Sequence, residues 1–260
     1  MRIAFWNVNL GVNSFSRRGA TFRAWCAGMQ PDILLLEEVS SALNNQRLQE
    51  MLAGPGYQVI HRVNTLDVNY RPSTKDLVAL HRNMPGVTGR ALRLPNLSSR
   101  RMLLKIVCPP QPPRPQIWVV HANASDLGGR LAINAAIRYI QSNPNNLIGG
   151  DFNRGIPLNS PLHPLSYENT PLRFSQWRKE GGALDYPAGL AGLPELHLNV
   201  LGCEEFRYIH PIPNPSGVID YVVAGANCVV QPLPNCPDQN MWVDILRYFD
   251  HCPVLYQVVP

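Results

Sequence analysis

The chain has 260 residues, 45% of them apolar and 16% charged, so it can bury the core of one large α/β domain or two small ones and is not a disordered tail. No apolar run approaches the ~20 residues that cross a bilayer as a helix, so no membrane span is expected. The chain starts on a strand pattern, so no cleavable leader is expected in this numbering. The net charge of +5 suits a polyanionic partner without identifying one.

Short apolar runs bounded by Gly, Pro or Asn predict strands at 3–8, 33–36, 57–60, 77–80, 102–107, 117–121, 147–149, 218–224 and 254–258. Helical patterns fall at 15–29, 42–52 and 130–140, with a short fourth at 172–179. Strand–helix alternation at the start gives way to adjacent strands from 57 to 121, then returns, which predicts mixed sheets with helices outside. Neither a repeat nor a linker divides residues 1–260. A loop-rich insert poor in strand signals is expected at about 154–215, and the Pro-rich segment 109–115 reads as an extended surface connector. The six cysteines contain no C-x-x-C pair, which argues against a zinc ribbon and leaves both buried thiols and one or two disulfides open.

The predicted strands end in polar residues. The first delivers Asn7, the second Glu37 and Glu38, the strand at 117–121 His121, and the strand at 147–149 Asp151 and Asn153. Asp220 follows Ile219, and Asp250 and His251 precede the final strand. Any one of these is ordinarily a turn or cap residue. Together, at strand ends, they are candidates for one rim of a sheet, where sites in α/β folds lie. Asp151 and Asn153 are two apart on an extended segment and so share a face.

The blocks W-N-V-N at 6–9, P-D-I-L-L-L-E-E-V at 31–39, H-A-N at 121–123, G-G-D-F-N at 149–153, I-D-Y at 219–221 and D-H-C-P at 250–253 resemble, in order, the signature blocks of the endonuclease/exonuclease/phosphatase superfamily. Within it, R-P-S at 71–73, S-S-R-R at 98–101, H-A-N-A-S-D-L-G-G at 121–129, G-D-F-N-R at 150–154 and D-Y-V-V-A-G at 220–225 resemble the catalytic B subunit of cytolethal distending toxin. Two positions depart from the pattern: Glu37 stands where many relatives carry Gln, and Phe249 precedes Asp250 where Ser is usual.

The resemblance implies a deoxyribonuclease-I-like α/β (α+β) fold: a four-layer sandwich of two mixed β-sheets packed face to face with helices outside. It makes Glu38 the main metal ligand with Asn7 beside it, for Mg²⁺, with Mn²⁺ as a substitute and Ca²⁺ as a structural helper. It makes His121, Asp151, Asp220, Asp250 and His251 catalytic. Asp151 orients and deprotonates the attacking water, His251 serves as general base or polarises the phosphate, and His121 works on the leaving-group side. Asp220 is expected behind His121, and Asp250 at the metal–water side. Asn153, Arg71 and Arg100 are expected to hold phosphate, with Arg101 and Arg154 as helpers.

The implied activity is metal-dependent, sequence-nonspecific cleavage of duplex DNA by a monomeric catalytic unit, a secreted toxin or effector carried by delivery subunits. A phosphatase acting on phosphoinositides or other phosphate monoesters with the same centre is the alternative, and a catalytically silent binding module a third reading.

Overall fold

The computed structural model describes residues 1–12, 15–52, 54–66, 72–93, 102–108, 116–121, 143, 145–156, 172–173, 197–202, 218–225, 227–233, 236–249, 251 and 253–259. The first strand, β1 (Arg2–Leu10), is apolar on both faces, as a strand covered on two sides must be. It lies parallel to β2 (Ile33–Ser40), and the connection between them is α1 (Phe15–Met29). Phe22, Trp25 and Cys26 on α1 recur at helical spacing and are buried. The helix ends on Gln30 in the left-handed region (φ 49), followed by Pro31, which cannot continue a helix.

A second helix, α2 (Asn45–Leu52), begins where the Asn44 side chain accepts the Arg47 N–H at 2.9 Å. The hairpin of β3 (Tyr57–Leu66) and β4 (Pro72–Arg82) follows, with β4 antiparallel to β2. From the C-terminal part, β13 (Val254–Val259) pairs with β1, and β12 (Val229–Pro232) pairs with β13. The first sheet is therefore six-stranded, in the order β12-β13-β1-β2-β4-β3.

The second sheet has seven strands. Its members are β5 (Thr88–Arg93), β6 (Met102–Val107), β7 (Gln116–His121), β8 (Asn146–Ile156), β9 (Leu172–Arg173), β10 (His197–Gly202) and β11 (Val218–Ala224), in the order β5-β6-β7-β8-β11-β10-β9. Each sheet holds one parallel pair at its centre, β1/β2 in one and β7/β8 in the other, flanked by antiparallel strands.

The sheets pack face to face, β1 and β2 against β8, and β3 against β5 and β6. Phe5 and Leu35 from the first sheet and Leu104, Val119 and Leu147 from the second belong to one buried apolar cluster. Helix α3 (Gln239–Tyr248), capped by Asp238, whose side chain accepts the Met241 N–H at 2.9 Å, packs on α1. The sandwich of two mixed sheets agrees with the expectation from sequence.

Several details differ. The helical pattern at 172–179 begins as a strand, β9, paired with β10, so edge pairing overrides local periodicity there. Strands β9 and β10 lie inside the segment expected to be poor in strands and extend the second sheet. Strands β5 and β12 and helix α3 lack an expectation from sequence. The predicted helix at 130–140 and the Pro-rich segment 109–115 fall outside the described residues. Cys26, Cys108, Cys228 and Cys236 are buried, and Cys26 is a free thiol.

Candidate active site at the rim of the two sheets

His121 ends β7 and pairs with Asp151 at the middle of β8, where the parallel pairing of the two strands stops, while Asn7, Glu37 and Glu38 lie in the carboxyl-terminal halves of β1 and β2. Asp220 enters on β11, whose register sets it opposite Asp151, and His251 precedes β13, the antiparallel neighbour of β1. In α/β sheets such carboxyl ends are where sites form.

The side chains reach one another because the strands are irregular there. Asn7 pairs with Glu37, yet Leu10 pairs with Val39, which leaves one extra residue in β1. Leu36 pairs with Val78 and Val39 with Asp76, which leaves one extra residue in β2. These are β-bulges, and such extra residues re-aim side chains. Asn9 (φ 39) and Glu38 (φ 56) occupy the left-handed region, rare for residues with a Cβ and strained by about 1–3 kcal/mol each. In an unbroken strand Glu37 and Glu38 would face opposite sides. Here Glu37 is fully buried, while the Glu38 side chain keeps 26% of its surface in solvent.

Asp151, 1% exposed, is the hub. Its Oδ2 accepts from Asn7 Nδ2 at 3.2 Å and lies 3.7 Å from His121 Nε2 and 3.9 Å from His251 Nε2. Its main-chain N–H crosses to the other sheet and donates to both carboxyl oxygens of Glu37, at 3.1 and 3.0 Å. Two glycines make that approach feasible. A Cβ on Gly149 would land 2.5 Å from the Phe5 ring. A Cβ on Gly150, whose φ is 131, would land 2.1 Å from Val120 O and 2.8 Å from Glu37 Oε1. Burial pushes the Glu37 carboxyl well above the usual carboxylate range, and the negative charges of Asp151 and Asp220 push the same way.

His251 Nδ1 lies 2.7 Å from Asp220 Oδ2. This corrects the expectation that Asp220 backs His121: the strand order places β11 on the side of β8 away from β7, the strand that ends in His121, and the Asp220 carboxylate meets His251. With Nδ1 engaged, His251 turns Nε2 towards Asp151. His121, itself buried, meets carboxylates of both sheets through Nε2, Glu38 Oε1 at 3.4 Å and Asp151 Oδ2 at 3.7 Å. The structure thus brings together Asn7, Glu38, His121, Asp151, Asp220 and His251. The backbone of Asn153 lies in β8; its side chain, with Arg71, Arg100 and Asp250, lies outside the described residues.

Two contributors, Lys75 and Trp6, were not expected from sequence, and a third, Glu37, was a strand-end candidate without an assigned role. Glu37 is the buried partner of Asp151. Lys75 on β4 places Nζ 3.3 Å from Glu38 Oε2 and also bonds Asn9 Oδ1. Trp6 donates its indole N–H to the His251 carbonyl at 3.0 Å, and its ring packs on Phe22, Trp25 and Phe249. A Trp beside a predicted polar strand end was the available signal for this last role, since a buried indole needs an acceptor.

The donors fit a hard divalent cation. Asn7 Oδ1 is buried with no hydrogen-bond partner among the described residues, and its amide lies 3.4 Å from Glu38 Oε1 through Nδ2. An orphaned oxygen beside a partly solvated carboxylate is what an ion that keeps several waters requires. Two tighter groups, Glu37/His121/Asp151 and Asp151/Asp220/His251, also have ligand atoms within 4.8 Å of one another. Glu37 has both oxygens on the Asp151 N–H and no solvent contact, and Asp220 is engaged with His251. Asn7 and Glu38 therefore remain the better pair for the ion.

The family model of the endonuclease/exonuclease/phosphatase family matches residues 4–239. The chain belongs to that family. Its members are phosphoester hydrolases that use divalent metals. Among solved structures, D. rerio TDP2 complexed with single strand DNA product is 15% identical, with 100% of this chain and 99% of that chain covered and a TM-score of 0.57. ANGEL2, a 2′,3′-cyclic phosphatase, is 15% identical over 99% of this chain and 94% of its own, with a TM-score of 0.55. The human Nocturnin catalytic domain with bound sulfate anion is 13% identical over 100% and 93%, with a TM-score of 0.53. At these identities the likeness is one of fold. No curated protein sequence matches the chain.

Proposed function

We propose that the chain is a metal-dependent nuclease that hydrolyses DNA phosphodiester bonds without sequence preference, in the manner of the catalytic subunit of a genotoxin. The observation that carries the hydrolytic part is the pair of histidines facing Asp151 from either side, one backed by Asp220 and the other beside Glu38. A silent binding module has no use for such a set. DNA as the substrate is supported by the toxin-like segments, including those that carry Arg71 and Arg100, and by the net charge of +5. On the same segments, delivery subunits are the partners proposed for it and export its destination.

Hydrolysis needs an in-line water, relief of charge on the phosphoryl oxygens and a proton for the leaving oxygen. Asp151 and His251 Nε2 lie 3.9 Å apart and together can orient the water and take its proton, with Asp220 stabilising the imidazolium that forms. His121, with Nε2 near carboxylates of both sheets, can deliver the proton to the leaving oxygen. Held by Glu38 and Asn7, a divalent ion would neutralise charge on the phosphoryl group.

The second reading, a phosphatase on a phosphoinositide or small phosphate ester, is supported by the 2′,3′-cyclic phosphatase activity named for ANGEL2, whose fold this chain shares. Supercoiled plasmid nicking set beside phosphate release from inositol lipids separates the two. DNase activity predicts nicked plasmid with Mg²⁺, none with excess EDTA, and a loss of several orders of magnitude in His251→Ala and His121→Ala. Lipid phosphate release without nicking would transfer the assignment to the phosphatase.

A further inference from the structure

Resting on that hydrolytic reading, we propose that Glu37 is a positioning residue: its buried carboxyl, reaching from the first sheet, holds Asp151 of the second sheet in its working orientation through the Asp151 main-chain N–H. Three observations converge on this role. Both Glu37 oxygens lie within 3.1 Å of that single nitrogen. The residue before Asp151 is Gly150, at φ 131, with no space for a Cβ between Val120 O and Glu37 Oε1. The backbone is thus bent at the point where its next N–H turns inward to the carboxyl. The bulge in β2 then sends Glu38 to the open rim while Glu37 stays inside, so adjacent residues take separate tasks.

Glu37 contacts the scaffold of the reaction and not the reacting atoms. Its work is geometric, since Asp151 must meet Asn7, His121 and His251 at once. A donor–acceptor link between the two sheets at this point sets the spacing of those partners. The part of Glu37 that matters is an oxygen acceptor of fixed reach. A glutamine supplies the same acceptor through its carbonyl oxygen, and a methionine of similar length supplies none.

The test compares Glu37→Gln with Glu37→Met in the full chain. Asp151 misplaced by about 1 Å costs about 100-fold, so Glu37→Met is expected to lower kcat by about 10- to 100-fold while KM stays within about threefold. Glu37→Gln is expected to restore kcat to within about threefold of the parent, on the same argument. Hydrogen exchange at the Asp151 amide gives a readout independent of turnover, slow in the parent and in Glu37→Gln and fast in Glu37→Met. The proposal is overturned if Glu37→Met keeps its kcat, or if Glu37→Gln falls as far as Glu37→Met. Should Glu37→Met not fold, Glu37→Gln decides the matter alone, and faster exchange at Asp151 in that variant counts against the brace. A parent protein that hydrolyses no phosphoester sinks the proposed function, while the amide exchange still judges the brace.

Discussion

Replacing Asp220 with Asn removes the carboxylate 2.7 Å from His251 Nδ1 and leaves a side chain of the same size. Two unit charges about 4 Å apart attract by about 4 kcal/mol at an effective dielectric near ~20. The two side chains keep 15% and 12% of their surface in solvent, which screens part of that attraction and leaves about 3 kcal/mol. If the imidazolium forms only as the reaction proceeds, the loss falls on the barrier, and 3 kcal/mol corresponds to about a 100-fold fall in kcat. The assay is steady-state hydrolysis of a chromogenic phosphodiester with Mg²⁺, run in a double-mutant cycle. With His251→Ala already in place, Asp220→Asn should change the residual rate by less than about threefold, because its partner is gone. With His121→Ala in place, Asp220→Asn should still cost about 100-fold. The reverse pattern would refute the pairing seen in the structure and restore Asp220 to His121.

Gly150→Ala forces a Cβ to within 2.1 Å of Val120 O at φ 131. Strain of about 1–3 kcal/mol and a backbone shift of similar size predict a loss of about 2–6 kcal/mol in urea unfolding; a loss under about 1 kcal/mol contradicts the close approach. Trp6→Phe keeps most of the ring packing but deprives the His251 carbonyl of its donor. The expected cost is about 1–3 kcal/mol of stability with a measurable fall in kcat, and a variant unchanged in both would show the bond to be idle. Mg²⁺ at about 100 times its Kd should stabilise the chain by about 2.7 kcal/mol in a thermal melt. Glu38→Gln should abolish that shift, and a full shift in Glu38→Gln would move the ion to the Glu37/His121/Asp151 group. His81 has its pKa lowered by burial, and its Nδ1 accepts the Met84 N–H at 3.3 Å. The unfolded chain therefore binds the proton more readily than the folded one. The stability this group contributes is complete above the unfolded value of about 6.5 and is lost as the pH falls towards the lowered folded value. His81→Asn should flatten that part of the stability–pH curve, and an unaltered curve would assign the slope elsewhere.

Much of this architecture was legible in the chain. Runs such as Ile33–Leu36 and Ile117–His121 read as buried strands because parallel neighbours covered on both faces need continuous apolar residues. The polar residues that end them fall on one rim because parallel strands finish together. What stayed hidden was either short, non-local or dependent on burial. Strand β5 carries Gly89 and two arginines, and β12 is only four residues long, so neither stands out as an apolar run. Helix α3 was missed although its signals were present, with Asp238 as cap and Met241, Ile245 and Tyr248 at helical spacing. The partner of His251 could not be read at all, since it depends on β11 lying next to β8, a pairing between strands some seventy residues apart in sequence.

The adjacent glutamates show most directly where pattern ends and structure begins. By composition both belong on the surface, and by strand alternation one of them should point away from the site. An extra residue in β2 breaks the alternation, and one in β1 matches it, so that Asn7, Glu37 and Glu38 all serve the same rim. The two carboxyls then differ in environment and hence in chemistry. Glu38, partly solvated and 3.3 Å from Lys75, suits an ion that keeps its water. Glu37, sealed inside and pushed towards its neutral form, suits a hydrogen-bonded brace and would be a poor ligand. A strained backbone at Glu38 is thus tied to function: it lets consecutive residues supply a metal ligand and the support beneath the catalytic aspartate.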